Sequence, residues 1–147
     1  MERLRAIIIE DHPDVRRALS ERLSNSDLIL VASSTEGIAA GIELSEVEQP
    51  DVVLVGLRAQ DQPRDIGQIK NLASQLHATR AALIVLTSYS FEDERRLLMQ
   101  AGANRYLLKD IDTRHLIEEI QQSVSECRSV RPAGADQPLD PTTLTVK

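Results

Sequence analysis

Five short runs of consecutive apolar residues punctuate the chain: Ala6–Ile9, Leu28–Ala32, Val52–Val55, Ala82–Leu86 and Tyr106–Leu108. Strict alternation of apolar and polar positions would describe strands with one wet face. Unbroken Ile, Val and Leu describe strands covered on both faces. The intervals between runs carry helical spacing instead. Val15, Leu19 and Leu23 form one stripe, and Ala40, Leu44 and Val47 a second. Ile66, Ile69, Ala73 and Leu76 form a third, and Leu116, Ile120 and Val124 another. Start and stop signals agree with this. Pro13 suits a first helical turn, Thr35 before Glu36 reads as a cap, and Ser90 with Asp93 resembles a capping box. Gly102 reads as a helix stop. The pattern predicts alternating strands and helices, βαβαβαβαβα, and therefore an α/β fold with a parallel sheet between helices. From Arg128 on the periodicity is lost and Pro132, Pro138 and Pro141 appear. The expected organisation is a domain over 1–126 and a linker or disordered tail over 127–147.

At 147 residues the chain is sized for one domain and can bury a core without disulfides or metal. Its 17 basic and 23 acidic side chains give a net charge of −6, which argues against a surface built to neutralise nucleic-acid phosphates. Two Tyr, one Phe and no Trp make a poor platform for stacking bases. The single cysteine, Cys127, fits a reducing compartment. The first apolar run is too short for a signal-peptide core or a membrane span and ends in Glu10-Asp11, so the expectation is a cytoplasmic protein with no membrane contact.

Ligands of open α/β sheets bind beyond the carboxyl ends of the strands. The residues there are Glu10 and Asp11, Gly56, Thr87 and Ser88, and Lys109 and Asp110. Paired carboxylates suit a hard divalent cation, although acidic residues also begin loops and cap helices. No glycine-rich phosphate loop follows the first strand. Thr87 and Lys109 together could hold an oxyanion. Separately, a strand threonine and a lysine at a strand end are ordinary.

At these positions the sequence resembles a bacterial response-regulator receiver domain over residues 4 to about 125. The resemblance rests on Ala6-Ile-Ile-Ile-Glu-Asp-His-Pro13, Pro50-Asp-Val-Val-Leu-Val55, Ile84-Val-Leu-Thr-Ser88 and Ala101-Gly-Ala-Asn-Arg-Tyr-Leu-Leu-Lys-Asp110. His12-Pro13 and Tyr-Leu-Leu-Lys-Asp are most similar to receivers attached to LuxR/NarL-type DNA-binding domains. The resemblance implies a flavodoxin-like, doubly wound sheet of five strands in order 2-1-3-4-5. It implies that Glu10 and Asp11 are the acidic pair that holds Mg2+. Thr87 becomes the hydroxyl that turns to a bound phosphoryl group, Lys109 its ammonium partner and Tyr106 the switching aromatic. The face over Phe91–Val124, with Phe91, Leu97, Tyr106 and Leu116, becomes the one used for homodimers and output partners. A histidine kinase or an output domain would be the protein partner.

One position departs from the family pattern. The phosphate-accepting aspartate that ends the third strand is replaced by Gly56, and Gln60 stands where a proline is usual. Glycine has no nucleophile and no metal ligand. Asp61 lies five residues on, too far along the chain to keep in-line geometry, and Asp51 begins the strand at the opposite edge. With one carboxylate lost, the Mg2+ site is weakened, and Lys109 has a metal-free alternative in pairing with Asp11 or Glu10.

The reading is therefore a signalling receiver that acts without aspartyl phosphorylation, through protein partners or dimerisation. It is expected to derive from a transcriptional regulator whose DNA contacts lie outside this segment. The alternatives are phosphorylation of a relocated acid such as Asp61, or a small flavodoxin-like enzyme. The latter lacks a Ser or Cys motif near His12, His77 or His115. Another acid within bonding reach of both the Lys109 ammonium and the Thr87 hydroxyl would undo the non-catalytic reading.

Overall fold

A computed structural model describes residues 2–57 and 64–129. In chain order the elements are β1 (Leu4–Ile9), α1 (Pro13–Ser24), β2 (Ile29–Thr35), α2 (Ile38–Glu48), β3 (Val52–Gly56), α3 (Arg64–Ala78), β4 (Ala82–Thr87), α4 (Glu92–Ala101), β5 (Arg105–Leu108) and α5 (Thr113–Ser129). All neighbouring strands pair in parallel, in the order β2-β1-β3-β4-β5. This is the flavodoxin-like, five-stranded arrangement.

Alternation along each strand divides the core into two layers. Ala6, Ile8, Val52, Leu54, Ile84 and Leu86 face α1 and α5. Ile7, Ile9, Val53, Val55, Leu83 and Val85 face α3, with α2 and α4 beside it. The central strands β1, β3 and β4 are covered on both sides, as their unbroken apolar runs predict. The edge strands are not, because each lacks a neighbour on one side: Leu30 of β2 and Leu108 of β5 are exposed.

The stripes of α3 and α5 meet the sheet as expected, with Ile69, Ala73, Leu76, Leu116, Ile120 and Val124 buried. Leu19 and Leu23 of α1 are buried too, while Val15 sits at the rim. Pro13 opens α1, and Gly102 closes α4 in the left-handed region at φ 117°.

The expected stripe of α2 is corrected. Ala40 is exposed, Leu44 only partly covered and Val47 81% exposed. Gly41 and Ser45 form the buried face instead. A Cβ on Gly41 would lie 2.1 Å from Ile9 Cδ1, so the helix seats itself where it has no side chain. The Ser45 hydroxyl donates to the Gly41 carbonyl at 2.8 Å, which hides its polarity. A hydrophobicity pattern ranks Val47 above Gly41 and so turns the helix the wrong way. Gly41→Ala is expected to lower stability by about 1–2 kcal/mol in urea unfolding, because overpacking against Ile9 exceeds the gain in helix propensity.

Two expected caps are also corrected. Thr35 ends β2, and Gly37 occupies the N-cap of α2 without a side-chain bond. Phe91, not Ser90, occupies the N-cap of α4, again without one. At the far end α5 continues through Ser129, so residues 127–129 are helical. Arg128 is held there by Asp51 at 2.7 Å. The remainder of the expected tail lies outside the described residues.

Candidate functional site

The same alternation that divides the core also sorts the residues beyond the strand ends. Continuing the α1/α5 face beyond Ile8, Leu54 and Leu107 leads to Glu10, Gly56 and Lys109. Continuing the other face beyond Val85 leads to Thr87, with Tyr106 already on it. The sequence-derived candidates therefore form two groups rather than one.

The first group is a buried ion pair. Glu10 is 2% exposed, and its Oε1 lies 2.8 Å from Lys109 Nζ. Its Oε2 accepts the backbone N–H of His12 at 3.1 Å, so both carboxylate oxygens are engaged. The guanidinium of Arg16 donates to the Glu10 carbonyl at 2.7 Å and braces the turn into α1. His12 itself caps α1, its Nδ1 accepting from Val15 N at 3.4 Å. Gly56 makes this pairing sterically feasible. A Cβ there would stand 2.0 Å from Glu10 Oε1 and 3.3 Å from Lys109 Cε. The Glu10 carboxylate thus fills the space that any side chain at position 56 would enter.

Asp11 does not share this place. Consecutive residues point to opposite sides, and Asp11, which is partly exposed, borders an open cavity of about 280 Å3 together with Glu36, Gly37, Gly56 and Gln68. Glu10 and Lys109 border a different one of about 240 Å3, walled by Asp14, Val15, Leu19 and Arg22 of α1 and Leu86 of β4. The expected acidic pair is thus divided between two cavities. Of the two partners open to Lys109, the structure selects Glu10.

Mg2+, which the fold family implies, requires several oxygen ligands in near-octahedral geometry. Glu10 spends its oxygens on Lys109 and His12, and Gly56 brings no carboxylate. Among the described residues no three His, Cys, Asp or Glu side chains group as a metal site. As arranged, the residues do not fit the ion.

The second group surrounds the loop between β4 and α4. The buried Thr87 hydroxyl donates to the Tyr89 carbonyl at 2.8 Å. The Tyr106 hydroxyl meets that carbonyl at 3.3 Å, accepts the Phe91 N–H at 3.2 Å and makes a short hydrogen bond to Glu94 of α4. Burial, then the Glu94 carboxylate, raise the Tyr106 phenol above the ordinary tyrosine value, outweighing the Phe91 N–H and the Thr87 hydroxyl. Lys109 therefore has an acid in bonding reach, whereas the Thr87 hydroxyl bonds to backbone. Among the described residues no acid bonds to both the Lys109 ammonium and the Thr87 hydroxyl.

Asp51 lies at the opposite sheet edge as expected, accepting from the Arg5 N–H at 2.8 Å and from Arg128. Asp61 and Gln60 lie outside the described residues. On the face over Phe91–Val124, Phe91 and Leu97 are exposed, joined by Tyr89 and Leu108. Leu116 is corrected: it is fully buried under β4 and belongs to the core. Glu94, Arg16 and the capping role of His12 were not among the sequence candidates. A Glu92-Asp93-Glu94 run reads as ordinary charge in a first helical turn, which hides the one that bonds to a tyrosine. Among the described residues no helix is long and apolar enough to cross a membrane.

Residues 6–121 match the family model described as the response regulator receiver domain. A nitrate/nitrite response regulator homolog of Haemophilus influenzae is 29% identical over 125 residues, covering 82% of this chain and 57% of that protein. The transcriptional regulatory protein PdtaR of Mycobacterium tuberculosis is 32% identical over 127 residues, covering 86% of this chain and 59% of that one. The chain thus spans less than two thirds of the length of these relatives. Among solved structures, the signal receiver domain of a NarL response regulator from Mycobacterium tuberculosis superposes with a TM-score of 0.69 at 24% identity. That alignment covers 89% of this chain and all of the other.

Proposed function

Because the chain belongs to the response regulator receiver domain family and so to signal transduction, we propose that it is a receiver that works without aspartyl phosphorylation. The observation that carries this reading is Gly56 at the end of β3, with the Glu10 carboxylate in the space beside it and bound to Lys109. On this reading Gly56 stands at the acceptor position. Glu10 is no replacement nucleophile, because both its oxygens are engaged and it is shielded from solvent. Lys109 has its counter-ion in place without a phosphoryl group. Glu10 and Asp11 bind Mg2+ weakly or not at all, and the domain catalyses no reaction.

Signalling then runs through protein contacts: with a histidine kinase, with an output domain, or with a second copy through the face over Phe91–Val124. The relatives' names suggest a transcriptional regulator, with nucleic acid contacted outside this segment. A net charge of −6 agrees with that.

Incubation with acetyl phosphate and Mg2+, followed by intact-mass measurement, tests the reading. The expected mass is unchanged. A stoichiometric, hydroxylamine-sensitive phosphoryl adduct would contradict it, and mapping that adduct to Asp61 would support a relocated acceptor.

A further inference from the structure

We infer that Glu94 is a positioning residue, tying the Tyr106 hydroxyl to α4 and thereby fixing the loop between β4 and α4 in one arrangement. The inference rests on contacts at α4 and is independent of the chemistry at Gly56. The Tyr106 hydroxyl has one proton and two acceptors within reach, the Glu94 carboxylate and the Tyr89 carbonyl. The charged acceptor is the stronger and takes the proton. That leaves the Tyr89 carbonyl to the Thr87 hydroxyl and the phenol oxygen to the Phe91 N–H. Both ends of the loop are thereby tied, one through Tyr89 and the other through Phe91.

Its neighbours on α4 behave differently. Glu92 and Asp93 pair with Arg95 and Arg96 one turn on, along the exposed helix surface. Glu94 alone of the three is bonded to β5. The consequence is a loop held from α4, on the sheet face opposite Glu10 and Lys109. Tyr89 and Phe91, 64% and 59% exposed, are displayed from that held loop. The Thr87 hydroxyl, committed to the loop, belongs to this group and not to the Glu10–Lys109 pair.

The chain has two tyrosines and no tryptophan, so Tyr89→Phe leaves Tyr106 as the sole phenol chromophore. Tyr89 contributes only backbone to the loop bonds, and the substitution spares them. In that background, titration by tyrosinate absorbance should place Tyr106 above the ordinary tyrosine value. Glu94→Ala should return it towards that value and speed hydrogen exchange at the Phe91 amide by about tenfold. The Leu98 amide within α4 should be unaffected. Glu94→Gln keeps an acceptor oxygen and should retain most of the Phe91 protection, and Glu94→Ala added to Tyr106→Phe should change nothing further. An unaltered titration with unaltered Phe91 exchange in Glu94→Ala would overturn the inference. Equal loosening of Leu98 and Phe91, unrescued by Glu94→Gln, would overturn it too, since Glu94 would then be acting only as part of the helix.

Discussion

Replacing Lys109 by methionine is expected to destabilise the fold by about 3–5 kcal/mol, because it strands a buried carboxylate. Methionine matches the stem of lysine closely, so the change removes charge more than volume. Glu10 would keep the His12 N–H, in a cavity lined by apolar Val15, Leu19 and Leu86 and, further out on α1, by Asp14 and by Arg22, whose guanidinium is held by Thr113 and the Ile111 carbonyl. The cost belongs to the uncompensated charge, not to the pair as such, and that distinction has a test. Glu10→Gln combined with Lys109→Met should recover most of the loss, since no buried charge remains. Urea unfolding of the parent, the single variant and the double variant checks both outcomes. A loss below about 1 kcal/mol would mean that solvent reaches Glu10 and that the pair is a surface one.

Gly56→Asp is expected to be the next most damaging change, at about 3 kcal/mol. Its Cβ alone would enter the space of Glu10 Oε1. Overpacking of this kind costs about 1–3 kcal/mol where the neighbour cannot yield, and Glu10 is held by two bonds. The new carboxylate would also compete with Glu10 for a single ammonium, adding like-charge repulsion. Gly56→Ala, which adds the steric part alone, should cost less. Removing the competitor should relieve both terms. In the double-mutant cycle of Gly56→Asp with Glu10→Ala, the two changes should therefore couple favourably by about 1.5–3 kcal/mol. Additive losses would mean that position 56 and Glu10 do not share space.

Most of the architecture was legible from the five apolar runs. A stretch of strand covered on both faces is apolar at consecutive positions, as Ala6–Ile9 of β1, Val52–Val55 of β3 and Ala82–Leu86 of β4 are. The same runs located the edge of the sheet where Glu10, Gly56, Thr87, Tyr106 and Lys109 gather. Alternation was equally available in the sequence and would have separated Glu10, Gly56 and Lys109 from Thr87 and Tyr106. The resemblance, which treats all of these as one site, obscured it. What sequence did not carry was the choice between Asp11 and Glu10 for Lys109. That choice depends on a vacancy, the missing Cβ of Gly56, rather than on any residue present. The orientation of α2 was missed for a related reason, since Gly41 contributes to packing by what it lacks. Glu94 was illegible because its partner, Tyr106, is brought to it only by the pairing of β4 with β5.

On the proposed reading the Glu10 carboxylate, in the space beside Gly56, holds Lys109 in place of any phosphoryl group. Carbon-detected NMR of the Glu10 carboxyl and the Lys109 ammonium tests it directly. The two groups are expected to stay bonded, with unmoved resonances, when Mg2+ and acetyl phosphate are added at about millimolar concentrations. Displacement of Glu10 from Lys109 by those additions, with the ammonium shifting onto a new phosphoryl partner, would contradict it.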